Sequence, residues 1–320
     1  MTHLTQRQRR YLHAALCALL LGGFMLTGAV AQTSDSMAVL YPDIGEPHRN
    51  VLATIIQGIK QRAKIPVIQR VIAPSTDPQE IAEDLQRQNV RVVIALGRVG
   101  LKLATQLGPG MGVVIGAVVT VPEAEVRGFT VASLAPDPAA MLAQLRGFMP
   151  TVKQVFVVYD PSQNRWLMRL AQTAAAAHGI KLRPFEATDL RTALQHYQKI
   201  LSSMDPVKDA LWLPLDTTTV NESNVLPLAL QEAWTRNLTV FSSNLAHVRR
   251  GALFSLYPDN TTVGHHLADQ ALQQLQPSSA TARGVLPLKD ALLAVNVRTA
   301  AHLGIDVAAQ QSRVQLTFPE

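Results

Sequence analysis

The chain has 320 residues, 48% hydrophobic and 16% charged, which excludes a broadly disordered protein and exceeds what one ordinary domain needs. Its formal charge of +6 is concentrated at the start, where Arg7, Arg9 and Arg10 precede the first acidic residue, Asp35. Without that segment 26 basic residues face 23 acidic ones, scattered and free of any basic–aromatic motif, so a nucleic-acid partner is not expected.

Residues 1–31 carry a basic start, an apolar stretch from about Ala14 to Leu26 and the small residues Ala29-Val30-Ala31 before Gln32. That layout predicts a secretory signal peptide cleaved after Ala31, hence a periplasmic protein; the apolar stretch is shorter than the ~20 residues of a membrane-spanning helix. Cys17, the only cysteine, has Leu16 before it and Ala18-Leu19-Leu20 after it, which does not fit a lipoprotein signal. The exported chain would then hold no cysteine, hence no disulfide, thiol nucleophile or cysteine metal site.

From Met37 onward short apolar runs alternate with amphipathic stretches. Ala38–Tyr41 predicts a strand, and Val51, Leu52, Ile55, Ile56 and Ile59 recur at helical spacing. Strands follow at 67–72, 92–96 and 113–119, with helices opened by Asp77-Pro78 and by Gly97 between them. Residues 120–138, with Pro122, Gly128 and Pro136 around the strand-like Phe129–Val131, break the rhythm and predict a crossing to a second lobe. The alternation resumes with helix 138–149, strand 154–159, helix 164–177, strand 181–185 and helix 191–202. The strand 210–215, a helix from Val225 to about Thr235, and short strands at 240–241 and 251–256 follow. Tyr257-Pro258-Asp259 then leads into a helix bearing Val263, Leu267, Ala271, Leu272 and Leu275. A loop at 277–280, a strand at 292–295 and a short helix at 298–304 complete the pattern. Strands alternating with helices imply a parallel sheet wound by right-handed crossovers. Val39–Asp43 is echoed by Val157–Pro161, as two similar lobes would produce.

The segment 208–225, K-D-A-L-W-L-P-L-D-T-T-T-V-N-E-S-N-V, concentrates the candidate chemistry. A buried strand ending in Asp216, Thr217 and further hydroxyls before a helix is how open α/β sheets build ligand clefts, although the same residues suit helix capping. Gly97 and Arg98 stand at another strand end, where Arg98 reads either as a bidentate carboxylate anchor or as a solvated arginine. Thr120, Asp160, Asn164, Ser242, Ser243 and Asn244 lie at further strand ends or helix starts, offering ligand contacts or ordinary turn chemistry. Tyr41 and Tyr257 would cover an apolar ligand or fill the core. No nucleophile elbow, zinc-protease motif, phosphate loop or dinucleotide fingerprint occurs, so neither catalysis nor a cofactor is expected. His265 and His266 are adjacent and diverge by about 100° on a helix, so no metal site is expected either.

Several segments carry a resemblance. A-L-G-R-V-G at 95–100, M-P-T-V-K-Q-V-F-V-V-Y-D-P at 149–161, L-P-L-D-T-T-T-V at 213–220, G-A-L-F-S-L-Y-P-D at 251–259 and L-A-V-N-V-R-T-A-A-H-L-G-I at 293–305 match in order and spacing. In these the chain resembles the periplasmic substrate-binding proteins of ABC importers, in the type I branch that includes tryptophan and tyrosine binders. The resemblance implies an α/β fold of two Rossmann-like lobes with parallel sheets joined by a three-crossing hinge. It implies a first lobe of 37–120 plus 259–282 and a second of 121–258 plus 283–320. It also implies a monomer that captures a small molecule, such as an amino acid, and delivers it to an inner-membrane permease; a sensor signalling to a membrane receptor or kinase is the alternative. Arg98, where relatives often have a small residue, and the basic run to Arg250 depart from the pattern and leave the ligand open.

Overall fold

The apolar runs become thirteen strands and ten α-helices among the described residues of a computed structural model, which are 36–108, 110–126, 128–276 and 283–319. The predicted signal peptide lies outside them. No helix among the described residues is long and apolar enough to cross a membrane.

The first sheet is entirely parallel and six-stranded. It comprises β1 (Ser36–Pro42), β2 (Val67–Ile72), β3 (Val90–Leu96), β4 (Gly112–Val118), β5 (Thr130–Pro136) and β11 (Gly284–Leu288), ordered β11-β5-β4-β3-β1-β2. Because side chains alternate along a strand, Met37, Val39, Val92 and Ile94 face one way and Ala38, Leu40, Val93 and Ala95 the other. The former set meets α1 (His48–Ala63) and α9 (Asn260–Gln274); the latter meets α2 (Pro78–Arg87) and α3 (Gly97–Ala104). Both faces are covered, which is why these strands read as continuous apolar runs.

The second sheet, also parallel, holds β6 (Gln154–Tyr159), β7 (Lys181–Glu186), β8 (Asp209–Leu213) and β9 (Thr239–Ser242), ordered β7-β6-β8-β9. One face packs on α4 (Pro138–Phe148) and α5 (Pro161–Ala177), the other on α6 (Leu190–Ser203) and α7 (Val225–Arg236). A smaller sheet of β10 (Phe254–Pro258), β12 (Ala291–Asn296) and β13 (Val314–Phe318) sits beside it, with β10 antiparallel to β12. Two short helices, α8 (Leu245–Arg250) and α10 (Val297–His302), flank this sheet.

Three helices begin in the same way. Asp77, Asp137 and Asp160 each accept a hydrogen bond from the backbone N–H two residues on, and each is followed by proline in the first turn. The aspartate satisfies an orphan donor while proline gives up a donor the helix cannot use there.

Two segments correct the lobe boundaries implied by resemblance. Residues 130–136 and 284–288, assigned there to the second lobe, are hydrogen-bonded into the first sheet as β5 and β11. Pro122 and Pro136 therefore bracket a 3₁₀ turn at Glu123–Val126 and the end of a strand, with the crossing itself at Asp137. There the Asp137 N–H donates to Leu288 O at 2.8 Å, and Pro136 pairs with Leu288 while Pro258 pairs with Ala291. The three crossings thus run side by side. β11, β13 and α8, all short, have no counterpart in the sequence reading.

Candidate functional site

Parallel strands all present their carboxyl ends on one side, and here the two sheets present those ends to a shared cleft. A cavity of about 450 Å³ opens between them. From the first lobe come Arg98 and residues Ala117 to Thr120; from the second come Gln163 and residues Asp216 to Thr218. None of these described lining residues is aromatic.

The first wall is shaped by irregular backbone. The β4–β5 register shifts between Ile115 and Val118, and Ala117 sits at φ 55°, an unusual conformation for a residue with a Cβ. This bulge turns Val119, 40% exposed, and Thr120 toward the opening. Helix α3 begins at Gly97, at φ 71°, and its amino end has no side-chain cap. Arg98 is exposed, with Nη1 donating to Thr120 O at 3.4 Å and Nη2 3.7 Å from Glu125.

The second wall is a closed hydrogen-bond network. Asp216 Oδ2 accepts from Asp160 N at 2.7 Å and Asn164 Nδ2 at 2.9 Å, and Oδ1 accepts from Thr218 N and Thr219 N, both at 3.0 Å. A carboxylate offers about four acceptor positions, so this one is saturated. Asp160 accepts from Ser162 N, Ser162 Oγ and Thr218 Oγ1. The exposed Thr217 and the half-buried Thr218 stand at the tip of the loop that these contacts brace. Across the mouth, Arg169 on α5 forms a two-pronged ion pair with Glu123 of the first lobe, one prong at 3.0 Å.

The sequence-derived candidates accordingly separate. Arg98, Thr120, Asp216 and Thr217 meet in the cleft, with Gly97 beside it. Asp160 and Asn164 lie one layer behind, holding Asp216. Tyr41 shares the face of Met37 and Val39 and lines a separate cavity with Ile44, Leu52 and Ile56. Tyr257 packs with Val248, Ala294 and Phe318. Neither tyrosine is among the residues that line this cavity. Ser243 accepts from Trp212 Nε1 at 2.9 Å, and Ser242 Oγ donates to Leu213 O at 3.1 Å. Both serines are buried and committed to the fold. Gln163, Thr218 and Ala117–Val119 were not among the candidates; Gln163, in the first turn after Asp160-Pro161, was within reach of capping logic, whereas the β4 bulge has no sequence signature.

His247 sits behind Ser242, with Nδ1 2.8 Å from its Oγ and Nε2 accepting from Asn244 Nδ2 at 3.3 Å. Asn244 Oδ1 accepts from Ala246 N, so the amide presents its N–H to the ring and the imidazole proton is on Nδ1. Burial chiefly lowers the His247 pKa from 6.5 to about 4; Glu222 opposes this shift and Arg250 adds to it. The unfolded chain therefore takes up a proton below pH 6.5 that the folded chain refuses until about pH 4, and stability is lost as pH falls through that window. The full shift corresponds to about 3 kcal/mol. Denaturant midpoints of the native protein should fall more steeply between pH 6.5 and 5 than those of His247→Gln. Coincident slopes would refute a neutral buried imidazole.

The family model described as ABC transporter substrate binding protein matches residues 75–314. Among solved structures, a conserved domain protein from Vibrio cholerae is 21% identical with a TM-score of 0.53, covering 89% of this chain and 99% of that one. An ABC domain in complex with L-Trp from Streptococcus pneumoniae is 15% identical with a TM-score of 0.56, covering 89% and 100%. The ligand-free, open structure of a substrate-binding protein with adhesive properties from Clostridium difficile is 15% identical with a TM-score of 0.63, covering 88% and 98%. At such identities these likenesses establish the two-lobed fold. No curated protein matches the chain at a significant level.

Proposed function

The chain belongs to the ABC transporter substrate binding protein family, and on that premise we propose that it captures a small carboxylate-bearing molecule between its lobes for delivery to an inner-membrane permease. The observation that carries this reading is the asymmetry of the cleft. One wall offers a guanidinium, Arg98, beside the uncapped amino end of α3; the other offers the hydroxyls of Thr217 and Thr218 and the amide of Gln163. A carboxylate held by Arg98 gains charge-assisted hydrogen bonds of about 1.5–3 kcal/mol each, and the helix dipole has the favourable sign. Amino acids are candidates; with its four acceptor positions filled, Asp216 would act on their ammonium group through its charge rather than as a free hydrogen-bond acceptor. The second lobe instead contributes neutral donors and acceptors, which suits a hydroxylated or amide-bearing ligand as well as an amino acid. Contacts from both walls give the ligand differential affinity for the closed arrangement, which is what shifts an open–closed equilibrium.

In this reading the protein works in the periplasm after cleavage at Ala31. Native mass spectrometry of periplasmic material should show a chain beginning at Gln32 with a bound small molecule. Arg98→Gln should weaken calorimetric affinity for that molecule at least about tenfold, corresponding to ~1.4 kcal/mol. Unchanged affinity in Arg98→Gln would rule out the carboxylate anchor.

A further inference from the structure

At the pole of the second lobe opposite the cleft, three arginines converge on one concavity. Its walls are the last turn of α7, the end of α8, the β12–α10 junction and the chain after β13. This is the end where β8 and β9 begin: α7 terminates just before Thr239, and Leu253, bonded to Val240 O, also accepts from Asn296 N. The concavity measures about 420 Å³ and is lined by Arg249, Arg250, Arg298, Trp234, Thr299 and Pro319, among others.

Two of the guanidiniums are held by rings rather than by carboxylates. Arg298 lies 5.1 Å from the Trp234 ring centroid and Arg249 lies 5.2 Å from that of Phe318. Trp234 is itself fixed by parallel stacking on His302, centroids 3.8 Å apart and planes 8° apart, and His302 Nε2 is 2.9 Å from Trp234 O. A cation–π contact orients a guanidinium without neutralising it and leaves its N–H edge available. Among the described residues Glu222 is the carboxylate that reaches any of the three, 3.7 Å from Arg250. Like charges gathered around one hollow repel each other, and the ion pairs that would offset this in a merely structural cluster are absent at Arg249 and Arg298 among the described residues.

We propose that this polar concavity is a second binding site, distinct from the cleft, for a phosphate-ester anion. The donor set favours phosphate over carboxylate. One guanidinium fork satisfies both oxygens of a carboxylate, whereas a phosphate presents three or four acceptor oxygens in a tetrahedron and accommodates several forks. The same chemistry is offered by a soluble phosphate ester and by an anionic phospholipid headgroup. Trp234, 42% exposed, and the neighbouring Val297, 37% exposed, are side chains that a lipid interface would accept.

The exposure of Trp234 gives the test its readout, because the other two tryptophans, Trp166 and Trp212, are 3% and 0% exposed. Acrylamide quenching of tryptophan fluorescence in the mature protein would be followed with four probes: inorganic phosphate, glycerol 3-phosphate, phosphatidylglycerol vesicles and phosphatidylcholine vesicles. Saturable protection by a phosphate probe or by phosphatidylglycerol, with none by phosphatidylcholine, is expected. The double variant Arg249→Gln/Arg298→Gln, both sites exposed, should weaken it at least about tenfold. Protection by glycerol 3-phosphate but not by vesicles assigns a soluble ester, and the reverse assigns a lipid headgroup. Absence of saturable protection with every probe, or equal protection in the double variant, overturns the site.

Discussion

Asp216→Ala should lower the melting temperature by roughly 10 °C, the largest effect expected of any polar substitution near the cleft. The variant strips the acceptor from the N–H groups of Asp160, Thr218 and Thr219 and from the Asn164 amide. Asn164 and Thr219 are 0% exposed, so water replaces the lost partner poorly. An unsatisfied buried donor costs about 1–3 kcal/mol, and allowing for relaxation the total should be about 4 kcal/mol. At about 2–4 °C per kcal/mol for a protein approaching this size, that gives the quoted shift. Thr217→Ala, at an exposed position, should by contrast change stability by less than about 0.5 kcal/mol while weakening ligand binding. Thermal unfolding and calorimetry on the two variants separate the brace from the contact surface. A melting point for Asp216→Ala within 2 °C or so of native would refute the bracing role.

The second large effect is expected far from the cleft, at Gly264→Ala. Helices α1 and α9 cross backbone to backbone, with Gly58 and Gly264 at the contact. A Cβ added at Gly264 would lie 2.2 Å from Ile55 O, 2.8 Å from Ile59 N and 2.9 Å from Gly58 Cα. These are backbone atoms of a helix, so relief requires the helices to part, and Ile55, Ile59 and Leu267, all 0% exposed, would lose packing together. Overpacking of this kind costs about 1–3 kcal/mol or more, against less than about 1 kcal/mol gained from alanine's helix preference. A net loss of about 2–3 kcal/mol should appear in urea unfolding. Gly45→Ala, whose Cβ meets nothing within 4 Å, is the matched control and should be close to neutral. Equal stability of the two variants would show that the helix crossing yields easily.

Much of the fold was legible because it is written locally. Asp-Pro at 77–78, 137–138 and 160–161 marks helix starts through a mechanism confined to four residues. The apolar runs at 92–96 and 210–213 read as buried strands because both faces are covered. What failed was non-local. β11, five residues long with a proline inside, has a weak sequence signal, and its place beside β5 is decided by a partner some 150 positions away. The site was legible only as a set of strand-end polar residues, since an aspartate that caps a loop and one that meets a ligand look alike in sequence. The two tyrosines are a different case. Tyr41 shares strand parity with Met37 and Val39, which places it on their face of the sheet, but parity names a face and not a cavity, and Ala117 of the same cluster does line the cleft.

The three side-by-side crossings also constrain the order in which the molecule can be assembled. As residues appear from the amino end, β1 to β5 with α1 to α3 are complete by Pro136, yet the Ile55–Ile59 stripe of α1 still lacks its cover. That cover, α9, and the edge strand β11 are encoded only after residue 259, behind almost the whole second lobe. The amino-terminal part must therefore wait with an open apolar seam while its neighbour forms, a topology of distant pairings that folds slowly and exposes sticky surface to other chains meanwhile. Nascent chains would be most vulnerable to aggregation over the interval in which residues 137–258 are present and α9 is not.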